Sequence, residues 1–173
     1  GDAVAATGIR KLLLFNAHGG QVGMMDIVAR DLRARHDLIV YSSNWYDLPI
    51  PDAVMAPFGA AERRFGVHAG DVETSMMLAL RARRVDMTQA RDFVSTSQAR
   101  AAEFPILGNG RSAKLAWQMQ DVNAMGAAGN AAAASAAKGR ALLDAAAQQL
   151  SLLLAELSRL PLSTLVARPA FPD

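Results

Sequence analysis

An apolar run, a glycine turn, an amphipathic helix and a second apolar run follow one another near the start of the chain. No other stretch restricts its fold so strongly. Lys11-Leu12-Leu13-Leu14-Phe15-Asn16 is a short apolar segment, the pattern of a strand buried on both faces. Ala17 to Gly20 supply a tight turn. The spacing then predicts a helix from about Val22 to Arg35, with Met24, Met25, Val28 and Leu32 on one face and Asp26 paired with Arg30 at i,i+4. Leu38-Ile39-Val40-Tyr41 reads as the next strand. This order implies parallel strands joined by a right-handed crossover, and hence an α/β fold.

Beyond that unit the pattern is looser. From Asn44 to about Gly66, Pro49, Pro51 and Pro57 interrupt any regular element, and a loop that long is usually functional or disordered. Asp71 to Arg81 returns to helix, apolar on nearly all sides and so expected to be buried. A second irregular stretch runs from about Asp92 to Asn130. An Ala-rich helix follows, with Asn130 as its expected N-cap, and reaches about Leu160 before a Pro-containing tail. There is no internal repeat. With 173 residues, 51% of them hydrophobic, the chain suits a single α/β domain over 1–173.

Composition removes several function classes. Eighteen basic residues face sixteen acidic ones for a net charge of +2, without a Lys/Arg block, so no nucleic-acid partner is expected. No apolar run is long enough for a membrane span. The absence of cysteine leaves His, Asp and Glu as the strong metal ligands and fits a cytoplasmic protein. The chain opens on Gly1-Asp2 rather than Met, and its native N-terminus is expected to lie upstream.

Three segments are able to carry chemistry. Asn16-Ala17-His18-Gly19-Gly20-Gln21 lies at the carboxyl end of the first strand, where open α/β sheets bind ligands. Gly19 and Gly20 allow a close backbone approach to a ligand. His18 suits a metal ligand, an acid–base group or a buried imidazole with one hydrogen bond. A nucleotide reading fails on spacing, because Gly19, Gly20 and Gly23 do not make G-x-G-x-x-G and no P-loop Lys-Ser/Thr follows. The second segment is His68-Ala69-Gly70-Asp71-Val72-Glu73-Thr74-Ser75. Asp71 and Glu73 are both favoured in a first helical turn by the helix dipole. Glu73, on the face of Met76, Met77 and Leu80, needs a strong partner if buried: a metal, a His or an Arg. The third segment, Trp117 to Gly129, brings Trp117, Asp121 and Asn123 to a possible substrate pocket, or forms an ordinary connection. His36, at the end of a helix, reads as a surface cap.

These segments resemble the creatininase (creatinine amidohydrolase) family. The family shows Asn-Gly-His-Gly-Gly-Asn after a core strand, against Asn16 to Gln21 here. It shows His-Ala-Gly-Glu-x-Glu-Thr-Ser opening a helix, against His68 to Ser75. It ends with Gly-x-x-Gly-(Asn/Asp)-Ala and Lys-Gly, matched by Gly126, Gly129-Asn130-Ala131 and Lys138-Gly139. The resemblance implies a three-layer α/β/α fold with a mainly parallel sheet, lacking its N-terminal part, and hydrolysis of a non-peptide C–N bond in a cyclic amide or formamide. It implies His18 and Glu73 as ligands of a divalent ion (zinc, manganese or iron, one or two per complete site), with His68 as the catalytic acid–base. A metal-bound hydroxide would attack the carbonyl while His68 protonates the departing nitrogen. It also implies a homo-oligomer, commonly a hexamer. The small residues from Ala131 to Ala137, with Gly126 and Gly129 beside them, are candidates for that contact. The stripe of Leu143, Ala146, Leu150, Leu153 and Leu157 is one that the domain's own sheet can cover, and is more often core than interface.

Departures from the family pattern are Ala17 for Gly, Gln21 for Asn and Asp71 for Glu. The family's other ligands, a Glu, a His and a shared Asp, come from a segment with no counterpart here. A non-catalytic scaffold or binding protein of the same fold is therefore the alternative reading.

Overall fold

The computed structural model describes residues 1–170, so the end of the expected 1–173 domain lies outside the described residues. They fall into two compact units, Gly1–Ile50 with the residues from Ala146 on, and Pro51–Ala145.

The first unit opens with α1 (Asp2–Ala6), β1 (Lys11–Asn16), α2 (Val22–Arg35) and β2 (Ile39–Asn44). β1 and β2 pair in parallel, from Lys11↔Ile39 to Asn16↔Asn44. β2 therefore runs three residues further than its apolar sequence suggested, because pairing continues as far as β1 does. α2 has the predicted limits and the predicted Arg30–Asp26 pair at 3.1 Å. Of its expected apolar face only Leu32 is fully buried, joining Leu38, Ile39 and Leu48 in a small core, whereas Met24 and Val28 are exposed. His36 ends the helix and lies 2.8 Å from Asp2, which also pairs with Arg35.

The second unit contains α3 (Asp52–Met55), α4 (Ala60–Phe65), α5 (Asp71–Arg81), β3 (Asp92–Phe93), α6 (Thr96–Glu103), α7 (Met119–Val122) and β4 (Gly129–Asn130). α8 (Ala136–Arg159) begins here and ends in the first unit. Both stretches expected to be irregular thus hold short helices, too short to show a period in sequence. α6 is started by Ser95, whose hydroxyl accepts from the Ser97 amide. Asn130 is not the N-cap of the long helix: it pairs with Asp92 in an antiparallel bridge. Ser135 takes that role, its hydroxyl accepting from the Lys138 amide at 3.3 Å. Phe58, Val122, Ala128 and Leu142 form the core.

α5 is less buried than its composition implies. Only Asp71 and Ser75 are fully enclosed, and Met77 and Leu80 are exposed. One face of the helix is packed against small residues, so the apolar residues elsewhere around it stay open. At the far end of α8, Leu153, Leu157 and Leu160 meet Leu13 and Tyr41 around a cavity of about 130 Å³. The Lys11 ammonium donates to the Ser158 carbonyl at 2.5 Å, a favourable place for a cation near a helix C-terminus. No helix among the described residues is long and apolar enough to cross a membrane.

Candidate functional site

In the first unit the turn that carries His18 is built on Asn16, whose side chain is 1% exposed. Its amide donates to the His18 carbonyl at 2.8 Å and to Asn44 Oδ1 at 2.6 Å. Its oxygen accepts from the His18 backbone N–H at 3.0 Å and from Gln21 Nε2 at 2.6 Å. Two donors and two acceptors are the full capacity of an asparagine side chain. The turn is therefore fixed from both sides by one buried amide, and Asn44 is in turn held by accepting and donating between Asn16 and Asp47. The longer Gln21 reaches back to this hub. The imidazole of His18 folds over Gly20, where a Cβ would lie 2.9 Å from Cε1, so a side chain there would force the ring away. Tyr46 flanks Gly19. Burial, assisted by the charge of Asp47, raises its phenol above its ordinary pKa, and the hydroxyl stays protonated at neutral pH.

In the second unit His68 sits on the turn that opens α5. Two backbone bonds pin this turn to the segment before β4: Val67 N–H to the Ala128 carbonyl and Ala128 N–H to the His68 carbonyl, both 2.8 Å. Ala69 has φ +52°, a left-handed conformation that costs a non-glycine residue about 1 kcal/mol or more. That conformation directs its N–H to Glu73 Oε2 at 2.9 Å, leaving Oε1 3.7 Å from His68 Nδ1. The ring of Trp117 meets the His68 ring edge-on at a centroid distance of 6.2 Å. His68, Glu73 and Trp117 are thus brought together. Glu73 is not enclosed by Met76, Met77 and Leu80. Its side chain is 46% exposed, for the same reason that Met77 and Leu80 are.

The buried acids are others. Asp71 is salt-bridged to Lys138 at 2.5 Å and accepts from Ser75 at 3.0 Å. Glu62, on α4, accepts from the backbone N–H groups of Val72 at 3.1 Å and Asn130 at 2.8 Å. It therefore ties the first turn of α5 to β4. Sequence reasoning missed Glu62, which lies in the proline-interrupted stretch with no pattern to mark it. For Asp71 a signal existed: Lys138 of the Lys-Gly pair in the first turn of the long helix supplies its counter-ion.

Asp121 and Asn123 serve the local chain. Asp121 accepts from the Gln118 N–H at 2.8 Å in a capping box for α7. Asn123 donates to the Val94 carbonyl at 3.0 Å and accepts from the Met125 N–H at 2.8 Å. Trp117 lines an open cleft of about 860 Å³ whose lining does not include His68.

Imidazole and carboxylate are the donor types that zinc, manganese and iron accept, so the chemistry of His18 and Glu73 suits such an ion. Among the described residues no three His, Asp or Glu side chains cluster closely enough to hold one by themselves, whereas catalytic sites normally take three protein ligands.

Fold and site together define a mixed α/β protein in which His18 and His68 stand on two glycine-bearing turns, one after a parallel strand and one before a helix. The sequence model of creatinine amidohydrolases matches residues 1–154, and the chain belongs to the creatininase family. A Bacteroides fragilis NCTC 9343 protein assigned as a creatinine amidohydrolase is similar at 26% identity and TM-score 0.70, over 92% of this chain and 58% of that one. A manganese form of creatininase is similar at 25% identity and TM-score 0.66, over 89% and 59%. A glutamate-to-glutamine creatininase mutant of Zn–Zn type has the same identity and TM-score, over 89% and 58%. The chain thus spans less than two thirds of the length of these structures. No curated protein matches it.

Proposed function

We propose that the protein is a metal-dependent amidohydrolase acting on a small non-peptide amide, a cyclic amide or a formamide. His18 and Glu73 are metal ligands and His68 is the proton-transfer group. The observation that supports this best is the pairing of His68 with Glu73 across a strained turn, within a motif that matches the family. Strain held at a fixed turn is characteristic of functional positions.

A divalent ion supplies polarisation of the substrate carbonyl and ionisation of water near neutral pH. The chain's own residues do the rest. Asn16 and Gly20 fix the direction of the His18 ring. The Ala69 N–H holds one oxygen of Glu73, so the other stays turned to His68. With Nδ1 3.7 Å from Glu73 Oε1, the His68 ring is oriented to carry a proton to the departing nitrogen. Trp117 packs edge-on against the His68 ring. The substrate-side roles of Gly19, Gly20, Asp121 and Asn123 are proposed with the same reading, as are a cytoplasmic location and a single domain.

The test is hydrolysis of creatinine, cyclic amides and formamides by the full-length protein loaded with zinc or manganese, beside its His68→Ala variant. Turnover that the variant loses supports the reading. Inactivity on every amide by a protein that also fails to retain either metal overturns it.

A further inference from the structure

The cleft lined by Trp117, whose ring meets that of His68, has a chemical character of its own. Its walls are the end of α4, one face of α6 and the loop from Leu107 to Trp117. Four of its lining residues are cationic, Arg64, Arg100, Arg111 and Lys114, and none is acidic. The whole chain carries 18 bases and 16 acids, so four against none is a local segregation rather than a reflection of net charge. None of the four takes part in an ion pair among the described residues. At about 860 Å³ the cleft is of the size that holds a small molecule.

The cations are also positioned. Arg100 donates to Ser97 Oγ at 3.2 Å and Thr96 Oγ1 at 3.3 Å, hydroxyls that steady the guanidinium without neutralising it. Arg64 lies 4.8 Å above the Phe65 ring. The loop is held to α6 at Gly108, whose N–H donates to the Phe104 carbonyl at 2.7 Å and whose Cβ, if present, would lie 2.4 Å from the Ala101 Cα. Asn109 Oδ1 accepts from the backbone N–H groups of Arg111 and Ser112 at 2.8 and 2.9 Å, which sets the turn that presents Arg111.

We infer that this cleft binds an anionic group of the substrate, a carboxylate or a phosphate, while the amide to be cleaved lies at His68. The inference rests on the amidohydrolase reading for its second half only. Guanidinium forks match the oxygens of either anion, and a concave, single-sign surface focuses the field on such a ligand. A neutral amide gains nothing from these four charges, and a cationic one is repelled.

The experiment uses the full-length protein with Trp45→Phe, which leaves Trp117 as the reporter within this chain. Inorganic phosphate and succinate are titrated separately at low ionic strength. Saturable change in Trp117 emission by either supports the inference, and the tighter of the two identifies the group. R100Q/R111Q is expected to weaken that binding at least about tenfold, the loss expected for charge-assisted hydrogen bonds. R111Q/K114Q, altering two exposed side chains, serves if the first pair fails to fold, and Arg30→Gln on α2 is the control. Absence of saturable binding by both anions, or binding unchanged by the cleft substitutions, overturns the inference. The ratio of kcat/KM for an N-formyl amino acid to that for its neutral amide separates the two proposals. Hydrolysis of both with a ratio near one removes the anion site and leaves the amidohydrolase. Anion binding without any hydrolysis retains the site and removes the reaction.

Discussion

The Lys138 ammonium lies 2.5 Å from Oδ2 of Asp71 and 5.1 Å from the centre of the Phe58 ring, so α8 is joined to α5 by an ion pair hidden from water. Asp71 is 2% exposed and Ser75 Oγ occupies its other oxygen. Removing one partner of such a pair strands a buried charge, which costs about 3–5 kcal/mol. Lys138→Met should therefore lower the unfolding free energy by roughly that amount. Lys138→Met with Asp71→Asn should recover part of it, because the stranded charge is gone. Urea unfolding of both variants measures the difference. A single variant within 0.5 kcal/mol of wild type, on the order of a neutral surface change, would refute this account.

One residue further on, Gly139 closes the same contact. A Cβ built there would lie 1.9 Å from the Ser75 carbonyl oxygen, well inside contact distance. Alanine is the better helix former by about 1 kcal/mol. Overpacking costs about 1–3 kcal/mol and more where backbone meets backbone. Sterics should win, so Gly139→Ala is expected to lower Tm although it raises helix propensity. A rise in Tm would show that the two helices part more easily than their spacing implies.

How far the sequence reveals this structure depends on the range over which each feature is encoded. β1, α2 and α5 have the limits read from pattern, because their signals lie in their own residues. β2 runs on to Asn44 because Asn16 pairs with it, information held 28 positions away. β3 and β4 are two residues each and exist only through mutual pairing, so no local pattern announces them. Within the site, the His68 turn was legible as a motif. Its supports were not. Glu62 works through the backbone amides of Val72 and Asn130, ten and sixty-eight positions distant. The exposure of Glu73 also escaped sequence reasoning, since the helical period says which residues share a face but not whether that face is covered.

The two histidines should separate when mutated. Full-length protein with His18→Ala is expected to lose bound zinc or manganese, because the imidazole held over Gly20 is proposed as a ligand. His68→Ala should keep the metal and lose turnover by about 10²–10⁴-fold, the usual contribution of a general acid–base group. Metal content after dialysis, read alongside kcat, distinguishes the two roles. Equal metal loss in both variants would make His68 a ligand and require the assignment to be redrawn.

Self-association is the remaining prediction, and it concerns the outer surface of α8. Much of what the sequence offered for it is consumed within the chain. Gly129 packs against Glu62 and Gly70, Ala131 is buried, and the stripe from Leu143 to Leu157 is half-buried, with Leu153 and Leu157 beside Leu13. Leu152 and Leu154 remain, 53% and 46% exposed, on a 24-residue helix with no reason in its own packing to leave them open. Single exposed leucines are ordinary. Two positions apart on the helix, Leu152 and Leu154 point about 160° away from each other and flank the half-buried stripe, so a partner gains by covering either, at about 25 cal/mol per Å² of apolar surface removed from water. Closed assemblies are usually built on two-fold axes, so the α8 surface should meet its own copy. We propose that the full-length protein sediments as a homo-oligomer, with a hexamer as the size that the family resemblance suggests, and that Leu152→Glu with Leu154→Glu shifts it toward smaller species. A wild-type protein that sediments as a monomer throughout the micromolar range would remove the proposal. An oligomer indifferent to both substitutions would place the contact elsewhere on the chain.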